Sequence, residues 1–170
     1  MKKTWTALCL ALLMLAGCAP AAPAEMPAPP PTVEVTPTPT PSPTVAALAV
    51  CGDIMSHMPV TNDAWDEGQG SYDYSPIFAQ AAPYLQAADY AVANLETPLS
   101  ETGPYSGYPA FKSPAALAGD LAEAGFDLLL TANNHCLDRG WDGLVSTLDA
   151  LDGAGLAHVG TCRSAEEQAE

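Results

Sequence analysis

Three stretches of this 170-residue chain hold oxygen and nitrogen donors directly after apolar runs. Asp53 and His57 follow the first, in Cys51-Gly52-Asp53-Ile54-Met55-Ser56-His57. Asn94 and Glu96 end the second. Asn133, Asn134 and His135 end the third, with Asp138-Arg139-Gly140 just beyond. Carboxylates, amides and an imidazole gathered on one rim suit a hard or borderline divalent cation. Taken singly, each residue has a plainer use. Asp53 after Gly52 is an ordinary turn residue, Asn94 and Asn134 can cap loops, and His135 can be a hydrogen-bonded core histidine. Their recurrence at three successive strand ends is what makes them a candidate site.

The elements that must position these residues are legible in the apolar pattern. Val45 to Cys51 is apolar throughout, the pattern of a strand buried on both faces. Tyr90 to Ala93 and Asp127 to Thr131 read the same way, and Leu156 to Val159 is a weaker fourth. Helix signals lie between them. Ser75-Pro76 and Ser113-Pro114 each offer a capping hydroxyl before a proline at the first helical position. Leu117 and Leu121 share one helical face that Gly125 ends; Leu144, Leu148 and Leu151 mark another, ended by Gly155. Alternating strands and helices predict an α/β fold with a mostly parallel sheet and helices on both faces. In such a sheet, ligands sit outside the carboxyl ends of the strands, where the donors fall.

The region before the domain reads as an export and spacer segment. Lys2 and Lys3 precede an apolar run from Ala7 to Ala16, too short for a bilayer-spanning helix of about 20 residues. That order is the mark of a secretory signal. Leu15-Ala16-Gly17-Cys18 resembles a bacterial lipobox, so Cys18 is the expected lipidation site and mature N-terminus. An ordinary cleaved signal and an uncleaved anchor are the competing readings. More than one acyl tail on Cys18 would give stable anchoring. From Ala19 to Thr44 the chain has ten prolines in 26 residues. Proline removes backbone donors, so an extended polyproline spacer is expected there. Residues 45–170 are then one domain, expected outside the membrane.

Charge and cysteine usage narrow the partners. Without Lys2 and Lys3 the mature chain has 3 basic and 20 acidic side chains, net −17. Such a surface excludes nucleic acid, whose phosphates it repels. An anionic substrate is still compatible with it if a metal ion supplies the local positive charge. Cys51, Cys136 and Cys162 form no C-x-x-C pair, which leaves no zinc ribbon or disulfide scaffold to argue for. Cys51 and Cys136 flank rim residues and are expected to be small buried thiols.

At the rim the chain resembles the CapA family of capsule and poly-γ-glutamate synthesis proteins, within the calcineurin-like metallophosphatase superfamily. The resemblance is carried by Gly52-Asp53-Ile54-Met55, Asn94-Leu95-Glu96, Tyr105-Ser106-Gly107-Tyr108-Pro109-Ala110-Phe111 and Thr131-Ala132-Asn133-Asn134-His135-Cys136-Leu137-Asp138-Arg139-Gly140. It implies the front half of a metallophosphatase-like sandwich and a divalent-metal site, of two ions in that superfamily. Asp53, Glu96 and Asn134 are then the expected metal ligands, and His135 and Asp138 the expected catalytic residues. Asn94 and His57 are accessory candidates. Where the superfamily pattern expects a histidine, two residues after Asp53, this chain has Met55.

Ser164-Ala165-Glu166-Glu167 reads as a capping box opening a helix close to the last residue. The expectation is therefore a domain incomplete at its C-terminus, with later ligands missing and metal held weakly. Two functions follow from the resemblance. One is a metal-dependent hydrolase acting on a phosphoester or a polymer amide. The other is a non-catalytic accessory subunit of an envelope polymer synthase, with synthase subunits as partners.

Overall fold

Four parallel strands form the centre of the protein. The computed structural model describes residues 44–169, so the signal segment, Cys18 and nearly all of the proline-rich spacer lie outside the described residues. Strand β1 (Leu48–Ile54) pairs with β4 (Tyr90–Leu95), β4 with β7 (Leu128–Leu130), and β7 with β8 (Ala157–Val159). Short elements lie between them: α1 (Met58–Asp63), a two-strand ribbon β2 (Trp65–Asp66) and β3 (Ser71–Tyr72), then α2 (Ser75–Phe78) and α3 (Ala82–Leu85). After β4 come β5 (Leu99–Ser100), β6 (Ser113–Pro114) and α4 (Ala116–Ala124); α5 (Gly140–Ala154) joins β7 to β8. Among the described residues, no helix is long and apolar enough to cross a membrane.

The apolar periodicity of the helices builds the core. Leu117 and Leu121 of α4 and Leu144, Leu148 and Leu151 of α5 are all buried. Gly125 and Gly155 end these helices at φ 104° and 75°, left-handed geometry that glycine adopts without a Cβ clash. Ala49, Ala91, Ala93 and Leu129 line the sheet face beneath the helices, with Leu117, Leu121 and Phe126 in the same cluster.

Helices on both faces was the expectation; among the described residues one face is open. Val50, Val92, Leu128 and Ala157 lie side by side across all four strands. Val50 is 70% exposed, and Leu48, Leu130 and Val159 on the same face are also exposed. The apolar run Val45–Cys51 was read as a strand buried on both faces, whereas β1 is an edge strand with most residues exposed. An apolar run reports burial potential, and nothing in it distinguishes a covered face from an uncovered one.

Two helix starts also differ from expectation. Ser113 and Pro114 do not open α4; they pair as β6 with Leu99 and Ser100. The helix begins at Ala116 with no side-chain cap. Both residues of β6 are buried, so tertiary burial outweighs the local capping preference. At α2 the proline is in the first turn as expected, but the backbone N–H of Ser75 donates to Asp73 Oδ1 at 2.9 Å, and the Ser75 hydroxyl makes no cap bond. Near the C-terminus, Glu167 N donates to Ser164 Oγ at 3.2 Å, and only a 3-10 turn, Glu167–Ala169, follows.

Candidate functional site

A bulge in β1 aims the first candidate ligand. Val50 pairs with Val92 and Asp53 with Asn94, so β1 spends three residues where β4 spends two. Side chains alternate along a strand, and without the extra residue Asp53 would face away from Asn94. With it, Asp53, Asn94, Leu130 and Val159 share one row at the carboxyl end of the sheet.

Asn94 is the hub of that row. Its Nδ2 donates to Asp53 Oδ1 at 2.8 Å and to Glu96 Oε2 at 3.3 Å, so one amide holds two carboxylates together. Glu96 is 9% exposed. Burial, and next the neighbouring Asp53 carboxylate, raise the Glu96 carboxyl above its ordinary range, while His135 pulls the other way. Two carboxylates this close favour a proton or a cation between them.

The loop after β7 closes the site from the other side. Asn133 Nδ2 donates to Leu95 O at 2.8 Å and to Asn94 Oδ1 at 3.3 Å, while its Oδ1 accepts from His135 N at 2.9 Å. His135 Nδ1 lies 2.8 Å from Asp138 Oδ2, and His135 Nε2 lies 4.0 Å from Glu96 Oε1. A proton on Nδ1, donated to Asp138, leaves the lone pair on Nε2, the nitrogen 4.0 Å from Glu96 Oε1. Asp138 Oδ2 also accepts from Phe111 N at 2.7 Å. Arg139 Nε donates to Phe111 O at 2.9 Å, and its Nη2 donates to Ser106 Oγ and to Ala110 O. Adjacent residues of one loop therefore tie the Ser106–Phe111 segment over His135. The Phe111 ring packs edge-on against His135, with centroids 4.7 Å apart.

The expected site residues thus divide. Asp53, Asn94, Glu96, His135 and Asp138 belong to one connected network. Asn134, the expected amide ligand, is exposed and outside it; Asn133, a rim donor with no ligand or catalytic expectation attached, is inside it. The run Asn133-Asn134-His135 holds no signal to tell the two amides apart. His57 is exposed and packs edge-on against Phe111, centroids 4.9 Å apart, so it borders the site through that ring. Tyr108 is 74% exposed with its ring 6.5 Å from His135, whereas Tyr105 packs against Tyr72 at 5.2 Å. Cys51 was expected to be buried and is exposed, because it lies on the edge strand; Cys136 is partly buried, and both are free thiols.

The donor set fits a divalent cation in part. Two buried or bulge-aimed carboxylates and an imidazole nitrogen are the right chemistry. Among the described residues, however, no group of three or more His, Cys, Asp or Glu side chains surrounds a common point.

Comparison with known proteins accounts for nearly all of the described chain. The chain is 31% identical over 118 residues to the capsule biosynthesis protein CapA of Bacillus anthracis, covering 66% of this chain and 28% of that one. Two uncharacterized proteins of Sinorhizobium fredii, y4sH and y4uA, are each 32% identical over 98 residues, 54% of this chain and 21% of theirs. The chain therefore spans between a fifth and a third of the length of these relatives. The family model described as bacterial capsule synthesis protein PGA_cap matches residues 47–170, from the start of β1 through every site residue above, and the chain belongs to that family.

Proposed function

We propose that this chain is an exported lipoprotein acting outside the membrane in capsule or poly-γ-glutamate synthesis, with a metallophosphatase-type site at the carboxyl end of its sheet. The observation that carries the site is the Asn94 amide holding Asp53 and Glu96 from adjacent strands. Asp53 and Glu96 would hold a divalent ion. Asn133 has its donor and acceptor atoms engaged, so it positions the network, while the exposed Asn134 is the amide open to a cation. A bound ion would supply Lewis acidity toward a phosphoryl or amide oxygen. His135, oriented by Asp138, would exchange a proton with the reacting group through Nε2.

Manganese titrated into the chain, followed by water-proton relaxation, tests the site. Saturable uptake that weakens at least about 10-fold in Glu96→Gln is expected, since losing even a residue that supports a ligand costs that much. The affinity is expected to be weak, because the ligand set is partial. Turnover of a generic phosphoester and of poly-γ-glutamate, with His135→Ala as control, tests the chemistry. No metal uptake would favour the second reading, a non-catalytic subunit beside a polymer synthase. Met55 favours that reading, since it supplies no ligand where the superfamily pattern expects a histidine.

The lipoprotein assignment is supported by the order of basic start, apolar run and Leu15-Ala16-Gly17-Cys18. Cys18→Ser should release the protein from the membrane fraction or leave its precursor uncleaved. Normal processing with full retention would overturn it.

A further inference from the structure

An apolar cleft of about 210 Å³ opens directly beside Asp53. Its walls are Ile54 and Met55 after the bulge, Val60 of α1, Phe78 of α2 and Leu117 of α4. Met55 therefore faces apolar space. At the residue where a further metal donor was expected, the chain has a piece of hydrophobic wall.

The polar groups of the cleft are already engaged. Ser56 Oγ lies 2.8 Å from Thr61 Oγ1 and 3.1 Å from Tyr74 Oη, and all three residues are buried. These hydroxyls satisfy one another and need no hydrogen bond from an occupant. Among the described residues, Asp53 is the only charged one lining the cleft, and no basic side chain does. In a chain of net charge −15, an anionic group entering here would meet a carboxylate and no counter-charge. An apolar cavity of about 150 Å³ lined by aliphatic and aromatic side chains holds a benzene-sized guest. This cleft is somewhat larger and open at one end, where Ile77 is 44% exposed.

We propose that this cleft binds an uncharged aliphatic or aryl group of the molecule whose reacting end lies on Asp53, Glu96 and His135. The assignment rests on the metal-site reading above and adds a substrate class to it: an ester or amide with an apolar substituent the size of one ring or a short alkyl chain.

The test uses the full chain, with n-hexanol and benzyl alcohol as neutral probes and hexanoate as their charged counterpart. Methyl NMR shifts of Ile54, Met55, Ile77 and Leu117 should change saturably with the alcohols. Hexanoate should bind at least about 10-fold more weakly. Ile77→Trp, at the exposed mouth, should fill the cleft and weaken the alcohols at least 10-fold; Val60→Phe is the second variant should the first fail to fold. No saturable shift, equal binding to a folded filled variant, or equal binding of hexanoate would overturn the proposal.

Manganese separates the cleft from the site. With Mn²⁺ bound, the protons of a cleft-bound alcohol should broaden in the wild-type chain and stay sharp in Asp53→Asn. Alcohol binding with Mn²⁺ uptake but no broadening would overturn the link between cleft and site. Alcohol binding with no Mn²⁺ uptake would instead overturn the metal reading, and the substrate class with it.

Discussion

The two strand–loop units that flank the site are built in opposite ways. β7 is interior: Leu129 is fully buried, and the loop after it is locked through Asn133, His135, Asp138 and Arg139. β1 is an edge strand: Val50 is 70% exposed, and Asp53 is exposed and tied to its neighbour by one amide contact. The loop after β7 is held by side-chain hydrogen bonds at four residues. The carboxylate that β1 brings to the site is held by a single amide contact. A polar site built across such a pair draws its geometry from the interior strand and its adaptability from the edge.

The largest test of this contrast is a matched truncation of the two strands. Leu129→Ala should cost about 2–5 kcal/mol in urea unfolding, since it leaves a cavity in a packed interior. Val50→Ala should change stability by less than about 0.5 kcal/mol, the range of an exposed substitution. Equal losses would mean that the open face of β1 is covered in solution, and the contrast would fail.

A second pair of variants compares the loops. Asp138→Ala removes the acceptor of Phe111 N and of His135 Nδ1, and should cost about 1–3 kcal/mol. Asp53→Ala removes a like charge from beside Glu96 and should leave metal-free stability at neutral pH unchanged or slightly higher. A large loss in Asp53→Ala would show that the edge loop is structurally locked after all.

Between the two units lies Glu96, whose carboxyl is raised by burial and by Asp53. The folded chain therefore holds that proton more tightly than the unfolded chain. Its contribution to metal-free stability is full below the unfolded value of 4.5 and is lost as pH rises through the folded value. The difference in unfolding free energy, wild type minus Glu96→Gln, should fall as pH rises from about 4.5. Saturating divalent ion should oppose that fall. A flat or rising difference without metal would contradict the close approach of the two carboxylates.

The smallest effect is expected at His57. It is exposed and meets the site through the Phe111 ring. His57→Ala should shift stability by no more than about 0.5 kcal/mol and leave metal uptake unchanged. A clear loss of metal uptake would bring His57 into the site and extend the edge loop's share of it.

Much of this architecture is local and so was readable in the chain itself. Leu117 with Leu121, and Leu144 with Leu148 and Leu151, recur at helical spacing, and the two glycines after those helices supply the left-handed turn that stops them. Asp53, Glu96 and His135 follow apolar runs, and parallel strands bring such positions to one rim. The tertiary structure decided what depends on neighbours distant in sequence. Pairing with β4 set the bulge that turns Asp53 toward Asn94. Loop closure chose Asn133 over Asn134 for the network, two residues of identical chemistry. Burial made a strand of Ser113-Pro114, where the local signal was a helix start. Sheet order left β1 at an edge, with one face of the sheet open among the described residues. Side-chain type and spacing encode the propensity of a segment and the face it can bury; register, edge position and the choice between equivalent side chains are fixed by contacts formed only when the chain is assembled.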